Sequence, residues 1–270
     1  MKEIRTFSQE IIGELKNHNL TGEIKEVEKA NGVMLTGIAI KTDGNASPTI
    51  YVDDMLKKGL SVEEAAAQIT AIINKDTAKD IDISWFYDFS KVKPMLRARL
   101  FNQATNAEVS KKAPAPFDDL IIVPYITGVV IDGKPDGAIK VKADHLKIWD
   151  VTPDEVIEIA ESNSKNDAEA MSMSEVLRQM GYPAPPFVDD PMTVVSNREK
   201  CFGAYAIIAM LDELKERYTN GFTVLPSSVH EVIIIDSDDQ ETLDSMVEEV
   251  NAEQVDYQEQ LSNHSYRVAA

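Results

Sequence analysis

The sequence predicts an α+β protein in which mixed, largely antiparallel sheets built from hairpins pack against helices. Strand-like and helix-like segments follow one another without regular strand–helix–strand alternation, which argues against a doubly wound parallel sheet. Hairpin signals recur along the chain, and no internal repeat is visible. The 270 residues are 43% hydrophobic and 27% charged, an ordinary globular balance. At this length folding removes about 75% of the surface the unfolded chain exposes, so no disulfide or metal staple is required. The single cysteine, Cys201, could not form an intrachain disulfide in any case.

Residues 1–17 read as a helix, with Ile4, Phe7, Ile11 and Leu15 at helical spacing. Glu23–Ala30 and Val33–Lys41 read as a hairpin, because Asn31-Gly32 supplies the positive φ values of a tight turn. A short strand over Thr49–Val52 follows Ser47-Pro48. Ser61 and Glu64 have capping-box spacing and open a helix that runs to about Lys75. Ser90 is expected to cap another helix carrying Leu96, Leu100 and Phe101, with Pro94 in or near its first turn. Lys111–Pro116 has two prolines and two lysines with little to bury, and reads as an exposed linker. The expected organisation is therefore an α+β subdomain over 1–113 and a second over 117–270.

The second half opens with a long apolar strand, Leu120–Ile131, then Asp132-Gly133 and a return strand over Ala138–Ala143. Helices are expected around His145–Trp149, over Pro153–Ser162 with Thr152 as cap, and over Ser174–Met180. Asn163–Ala170 reads as a polar connection. Gly181–Pro191 holds four prolines and reads as a rigid surface loop. Met192–Val195, Phe222–Leu225 and Val229–Ile235 read as strands. Phe202–Arg217 is expected to be a helix buried on most sides, because its first half is apolar almost all round. Asp239–Glu253 is the last helix.

Several segments carry a family resemblance: VMLTGIAIK from Val33, SPTIYVDD from Ser47, LKIWDVTPDEVIEIAESN from Leu146, LPSSVHEVIII from Leu225 and VNAEQVDYQEQLSNHSY from Val250. In this order they resemble a bacterial family known as domain of unknown function 5688, which is met in mobile elements. One departure is Asn263, where the family pattern has Asp. The resemblance implies no activity, cofactor or catalytic residue.

The 46 Asp and Glu outnumber the 27 Lys and Arg, for a net charge of −19. Such a charge repels nucleic acid and anionic membrane. The densest basic run, Lys91–Arg99, reads as a solvated helix face. The first residues lack the apolar core of a signal peptide, and no apolar stretch is long enough to span a bilayer, so a cytoplasmic location is expected.

Ser228, His230 and Glu231 are the candidate catalytic residues. On a strand, Ser228 and His230 share one face and Glu231 takes the other, so Ser228 and His230 could pair as nucleophile and base. The alternative is a Pro-Ser-Ser turn with His230 hydrogen-bonded at a sheet edge. Cys201, flanked by Arg198 and Lys200, is expected just before a helix, where a thiol loses its proton more readily. No metal is expected: His18, His145, His230 and His264 are scattered, and Asp236, Asp238 and Asp239 lack the glycine of a calcium loop. No phosphate-binding glycine motif is present, and no cofactor is expected.

From Asp236 to Tyr266 the chain carries acidic residues and no Lys or Arg. Glu241, Asp244, Glu248 and Glu249 are expected to form a negative stripe while Leu243, Val247 and Val250 pack inward. These features predict a non-enzymatic module that binds a basic protein partner, with a hydrolase using Ser228 and His230 as the alternative.

Overall fold

The computed structural model describes residues 2–44, 47–75, 82–131, 134–183 and 191–270. The fold is α+β, with three antiparallel sheets among the described residues. The proline-rich segment falls mostly, and the Asp132-Gly133 turn entirely, outside the described residues.

Helix α1 (Lys2–Leu15) places Phe7, Ile11 and Leu15 at a spacing of four, which brings them onto one buried face. That face covers the sheet of β1 (Gly22–Glu28), β2 (Met34–Ile40) and β3 (Thr49–Tyr51), where Ile38 and Ile40 are fully buried. A short helix, α2 (Asp53–Lys57), leads to α3 (Val62–Lys75), which adds Ala65, Ala66 and Ile69 to the same apolar cluster. Its capping box is formed: the Ser61 N–H donates to Glu64 Oε2 at 2.8 Å and the Glu64 N–H to Ser61 Oγ at 3.2 Å.

The β1–β2 turn has Asn31 at φ 57° and Gly32 at φ 71°. Asn31 takes the left-handed conformation and also uses its side chain. Its Nδ2 donates to the carbonyls of Tyr257 (2.6 Å) and Gln260 (2.8 Å), and its N–H donates to Thr105 Oγ1 (3.0 Å). The hairpin is thereby tied to residues 226 and 229 positions away in sequence.

Beyond a one-turn helix, α4 (Phe89–Val92), the chain departs from expectation. Asp88, not Ser90, is its cap, and Leu96–Asn102 is strand β4 instead of helix. Pro94 cannot extend the helical hydrogen-bond ladder. After it, Leu96, Ala98 and Leu100 are buried while Arg97 and Arg99 alternate with them, the two-residue period of a strand. Lys111–Pro116 is likewise no free linker. Lys111–Lys112 form β5 against β6 (Leu120–Ile131), and Ala113 is buried beside Phe117.

Strand β6 pairs with β4 along one side, and with β5 and then β7 (Lys134–Lys140) along the other. Pro124 sits where the second partner changes, between Ile122, paired with β5, and Tyr125, paired with β7. The Pro124 carbonyl accepts the Val141 N–H at 3.1 Å, so the position lacking an N–H faces the gap between β5 and β7. Helices α5 (Ala143–Trp149) and α6 (Pro153–Lys165) follow, with Thr152 capping α6 as expected. The return strand ends earlier than Ala143 because α5 begins there, and the polar stretch after Ser162 is the end of α6 followed by strand β8 (Ala168–Ser172).

Helix α7 (Met173–Gln179) leads towards the rest of the third sheet, β9 (Met192–Asn197), β10 (Phe222–Leu225), β11 (Val232–Ile235) and β12 (Tyr266–Val268). Its order is β12-β10-β11-β9-β8. The expected helix over Phe202–Arg217 is two shorter ones, α8 (Ala206–Ala209) and α9 (Leu211–Arg217), separated at Met210 (φ −103°, ψ 6°). Residues 200–204 are not helical because Lys200 and Phe202 have φ of 51° and the Gly203 and Ala204 N–H groups donate to the carbonyls of His230 and Val229. Helix α6 lies across β4 and β6, while α8 contacts both α6 and the β8–β9 side of the five-stranded sheet. The largest apolar cluster runs through this layer from Val92 to Val268. The last helix, α10 (Gln240–Glu253), packs on β10 through Leu243 and Val247. Among the described residues, no helix is long and apolar enough to cross a membrane.

The Asn31 tie gives a direct test. Asn31→Gly keeps the left-handed turn and loses the side-chain bonds, and is expected to lower unfolding free energy by about 1–3 kcal/mol. Asn31→Ala is expected to cost about 1 kcal/mol more, because its Cβ disfavours positive φ. Urea denaturation of the two variants reads both effects.

Candidate functional site

The segment 226–231 is a loop, because β11 begins only at Val232. The strand-face argument therefore does not apply to Ser228, His230 and Glu231, and the loop gathers all three. Ser227 and Ser228 donate from Oγ to Glu231 Oε1 at 3.2 and 3.4 Å. Ser228 Oγ in turn accepts the His230 N–H at 3.1 Å. Ser228 is buried and its hydroxyl serves the turn.

The His230 ring points elsewhere. Its Nδ1 accepts the Phe202 N–H at 3.1 Å, so in the neutral ring the proton sits on Nε2, which faces Glu259 Oε1 at 3.6 Å. Both nitrogens are thus committed away from the Ser228 hydroxyl. The structure brings Ser228 and His230 together through a backbone N–H, and does not form the nucleophile–base contact that acyl transfer needs. The loop is a hydrogen-bonded turn that precedes β11.

The loop's role is to hold its neighbour. Besides the His230 ring bond to Phe202, the His230 carbonyl accepts from Gly203 N–H (2.9 Å) and from Ser196 Oγ (2.8 Å). Gly203 lies so close to Ser196 and Asn197 that a Cβ there would collide with both. Cys201 is exposed and precedes a left-handed residue, not the expected helix. Its N–H and carbonyl are both bound by the Asn197 side chain.

The 197–206 segment forms one wall of a cavity of about 210 Å³, and β4 forms another. Arg97 and Arg99, read from sequence as part of a solvated helix face, both line it. Arg97 Nε donates to Asp167 Oδ2 at 2.6 Å, and Arg198, also at the cavity, pairs with Glu169 at 3.3 Å. Arg99 lies over two rings, 4.4 Å from the centroid of Tyr125 and 3.9 Å from that of Phe202. Burial makes its guanidinium easier to deprotonate than usual, an effect that Tyr125, Cys201 and Glu199 oppose. The sequence signal for this site was the alternation of Arg with Leu and Ala after Pro94.

The acidic segment is mostly outward. Asp236, Asp238, Asp239, Glu241, Glu248, Glu249, Glu253 and Asp256 are exposed. Glu241 and Glu248 lie along one outward line of α10, whereas Glu249 is roughly 100° round the axis from Glu248. Asp244 departs from the expected stripe. Its Oδ1 accepts the Ser265 N–H (2.7 Å) and hydroxyl (2.6 Å), pinning the segment before β12 to α10. Burial alone would push the Asp244 carboxyl up, but hydrogen bonds from Ser265 and Gln240 hold it below its ordinary value of 3.8. Among the described residues no group of three or more His, Cys, Asp or Glu has the arrangement of a metal site.

Two expectations follow. His230→Ala leaves the Phe202 N–H without its acceptor and is expected to cost about 1–3 kcal/mol in urea denaturation, whereas His230→Asn, which offers an oxygen near the Nδ1 position, recovers most of it. Asp244 has a depressed folded value, so its contribution is complete above 3.8 and is lost as pH falls through that lower value. Denaturation midpoints measured from about pH 5 down to about pH 2 should therefore fall less steeply for Asp244→Asn than for the native chain.

A family model described as a family of unknown function matches residues 3–268. No curated protein and no solved structure matches the chain.

Proposed function

We propose that this chain, which belongs to the family of unknown function DUF5688, is a non-enzymatic cytoplasmic module that binds a basic protein partner through the outer face of α10 and its flanking loops. The observation that carries the reading is the absence of compensation. The eight exposed carboxylates between Asp236 and Asp256 form no ion pair with any described Lys, Arg or His. Unpaired exposed carboxylates also occur elsewhere, as at Glu213, but there Lys215 and Arg217 follow within four residues, whereas 236–256 contains no Lys or Arg.

Packing explains why this face is left over. Helix α10 uses Leu243 and Val247 against Leu225, Ile233 and Ile235, and nothing described covers its other side. Met246 of α10 is also exposed, at 44%, and supplies apolar contact beside the charge. Glu249 and Glu253, both exposed and four residues apart on α10, repel one another, so the charge pattern does not serve helix stability. A cationic surface would relieve that repulsion and would associate faster at low salt.

The test is a comparison of native protein with a Glu241→Gln, Glu248→Gln, Glu249→Gln variant in affinity capture at about 50 and 500 mM salt, across which exposed charge pairs are progressively screened. A partner retained by the native chain at low salt, and lost both at high salt and in the variant, is expected. Equal recovery by native and variant chains overturns the reading.

A further inference from the structure

We propose that the cavity between β4 and residues 197–206 binds a small monocarboxylate, with the Arg99 guanidinium as its receptor. The cavity belongs to a different part of the fold from the α10 face, and the two assignments stand or fall separately.

Arg99 is unlike the other arginines around it. Arg97 and Arg198 are matched by Asp167 and Glu169. Among the described residues Arg99 has neither an ion pair nor a hydrogen bond, and it lies over the rings of Tyr125 and Phe202. No fully buried side-chain nitrogen or oxygen lacks a partner among the described residues, so the unpaired Arg99 N–H groups keep access to the cavity they line.

Contact with two rings restricts the guanidinium, whose planar fork of N–H donors matches both oxygens of a carboxylate. Phe202 is itself held: its φ is 51° and its N–H is bound by His230 Nδ1. The residues first singled out as catalytic thus support one side of this clamp.

Charge and size select the ligand. With Arg97 and Arg198 already matched, the site has one cation to offer, which suits a single negative charge. A phosphate dianion would bring a second, and the exposed Glu199, which also lines the cavity, would repel two charges more strongly than one. A volume of about 210 Å³ admits a small acid and excludes a nucleotide. The net charge of −19 draws no anion to the protein from a distance, so binding here must come from local contacts.

Cys201 lines the same cavity and is the sole cysteine, so its alkylation reports on the site in the intact chain. Iodoacetate carries a carboxylate and iodoacetamide is its neutral counterpart; in each case the thiolate displaces iodide and forms one C–S bond. The iodoacetate-to-iodoacetamide rate ratio at Cys201 is expected to exceed that of free cysteine by about ten-fold, the scale of one charge-assisted hydrogen bond. Arg99→Gln is expected to abolish the excess and Arg99→Lys to retain part of it. Acetate should slow iodoacetate labelling of the native protein, and inorganic phosphate at equal ionic strength should not. These native-protein comparisons hold even if an Arg99 variant does not fold. A native ratio at or below that of free cysteine overturns the proposal, and equal protection by phosphate overturns the choice of a monocarboxylate.

Discussion

The larger part of the fold depends on satisfying the backbone of one strand, β6. Seven residues of β4 pair with it on one side, while β5 and β7 divide the other. A strand paired on both sides tolerates proline only where no ladder donor is wanted. Pro124 stands at the changeover between β5 and β7, where that condition is met. The pairing also places Tyr125 opposite Arg97 and thereby beside Arg99. The hydrogen-bond register of the sheet thus determines which side chains face the cavity.

The second constraint is the accounting of polar groups in the two loops that meet at His230. The 226–231 loop lacks a backbone ladder of its own, so the Ser227 and Ser228 hydroxyls and Glu231 satisfy one another within it. The 200–204 turn, with two left-handed residues, cannot start a helix and draws its acceptors from the His230 ring and the carbonyls of Val229 and His230. Ser227, Ser228 and Glu231, residue types familiar from hydrolases, donate to and accept from one another here at short range. Geometry, and not composition, separates the two uses.

Charge is distributed in opposite senses at two places. On α10 the inward side is apolar, so the carboxylates are left outward, and only Asp244 turns in, where Ser265 supplies two donors. In the cavity, an arginine forms no ion pair with a described carboxylate and lies over two rings instead. Burying a cation without an anionic partner is unfavourable, and cation–π contacts offset part of that cost. Both places therefore present charge that the fold itself does not neutralise.

Local rules made many elements legible in the sequence. The period of α1, the Ser61–Glu64 capping box, the Asn31-Gly32 turn and the Thr152 cap each depend on residues within a few positions of one another, and all four are present. So was the sidedness of α10, because Leu243 and Val247 define its buried line. What the sequence could not decide are features that depend on distant partners. Leu96–Asn102 is a strand because β6 offers it a ladder, and Lys111–Lys112 are ordered for the same reason. The helix expected from Phe202 is delayed to Ala206 because a histidine 28 residues further on captures the Phe202 N–H. Asp244 is an inward tether only because Ser265 arrives beside it, and Arg99 faces a cavity only because Phe202 and Tyr125 close over it. Sequence by itself determined the α+β class, the net negative charge and the short-range caps and turns, since composition, propensity and hydrogen bonding over a few residues suffice for these. The tertiary structure alone decided which strands pair and which polar atoms are consumed, because those outcomes depend on groups brought together from far along the chain.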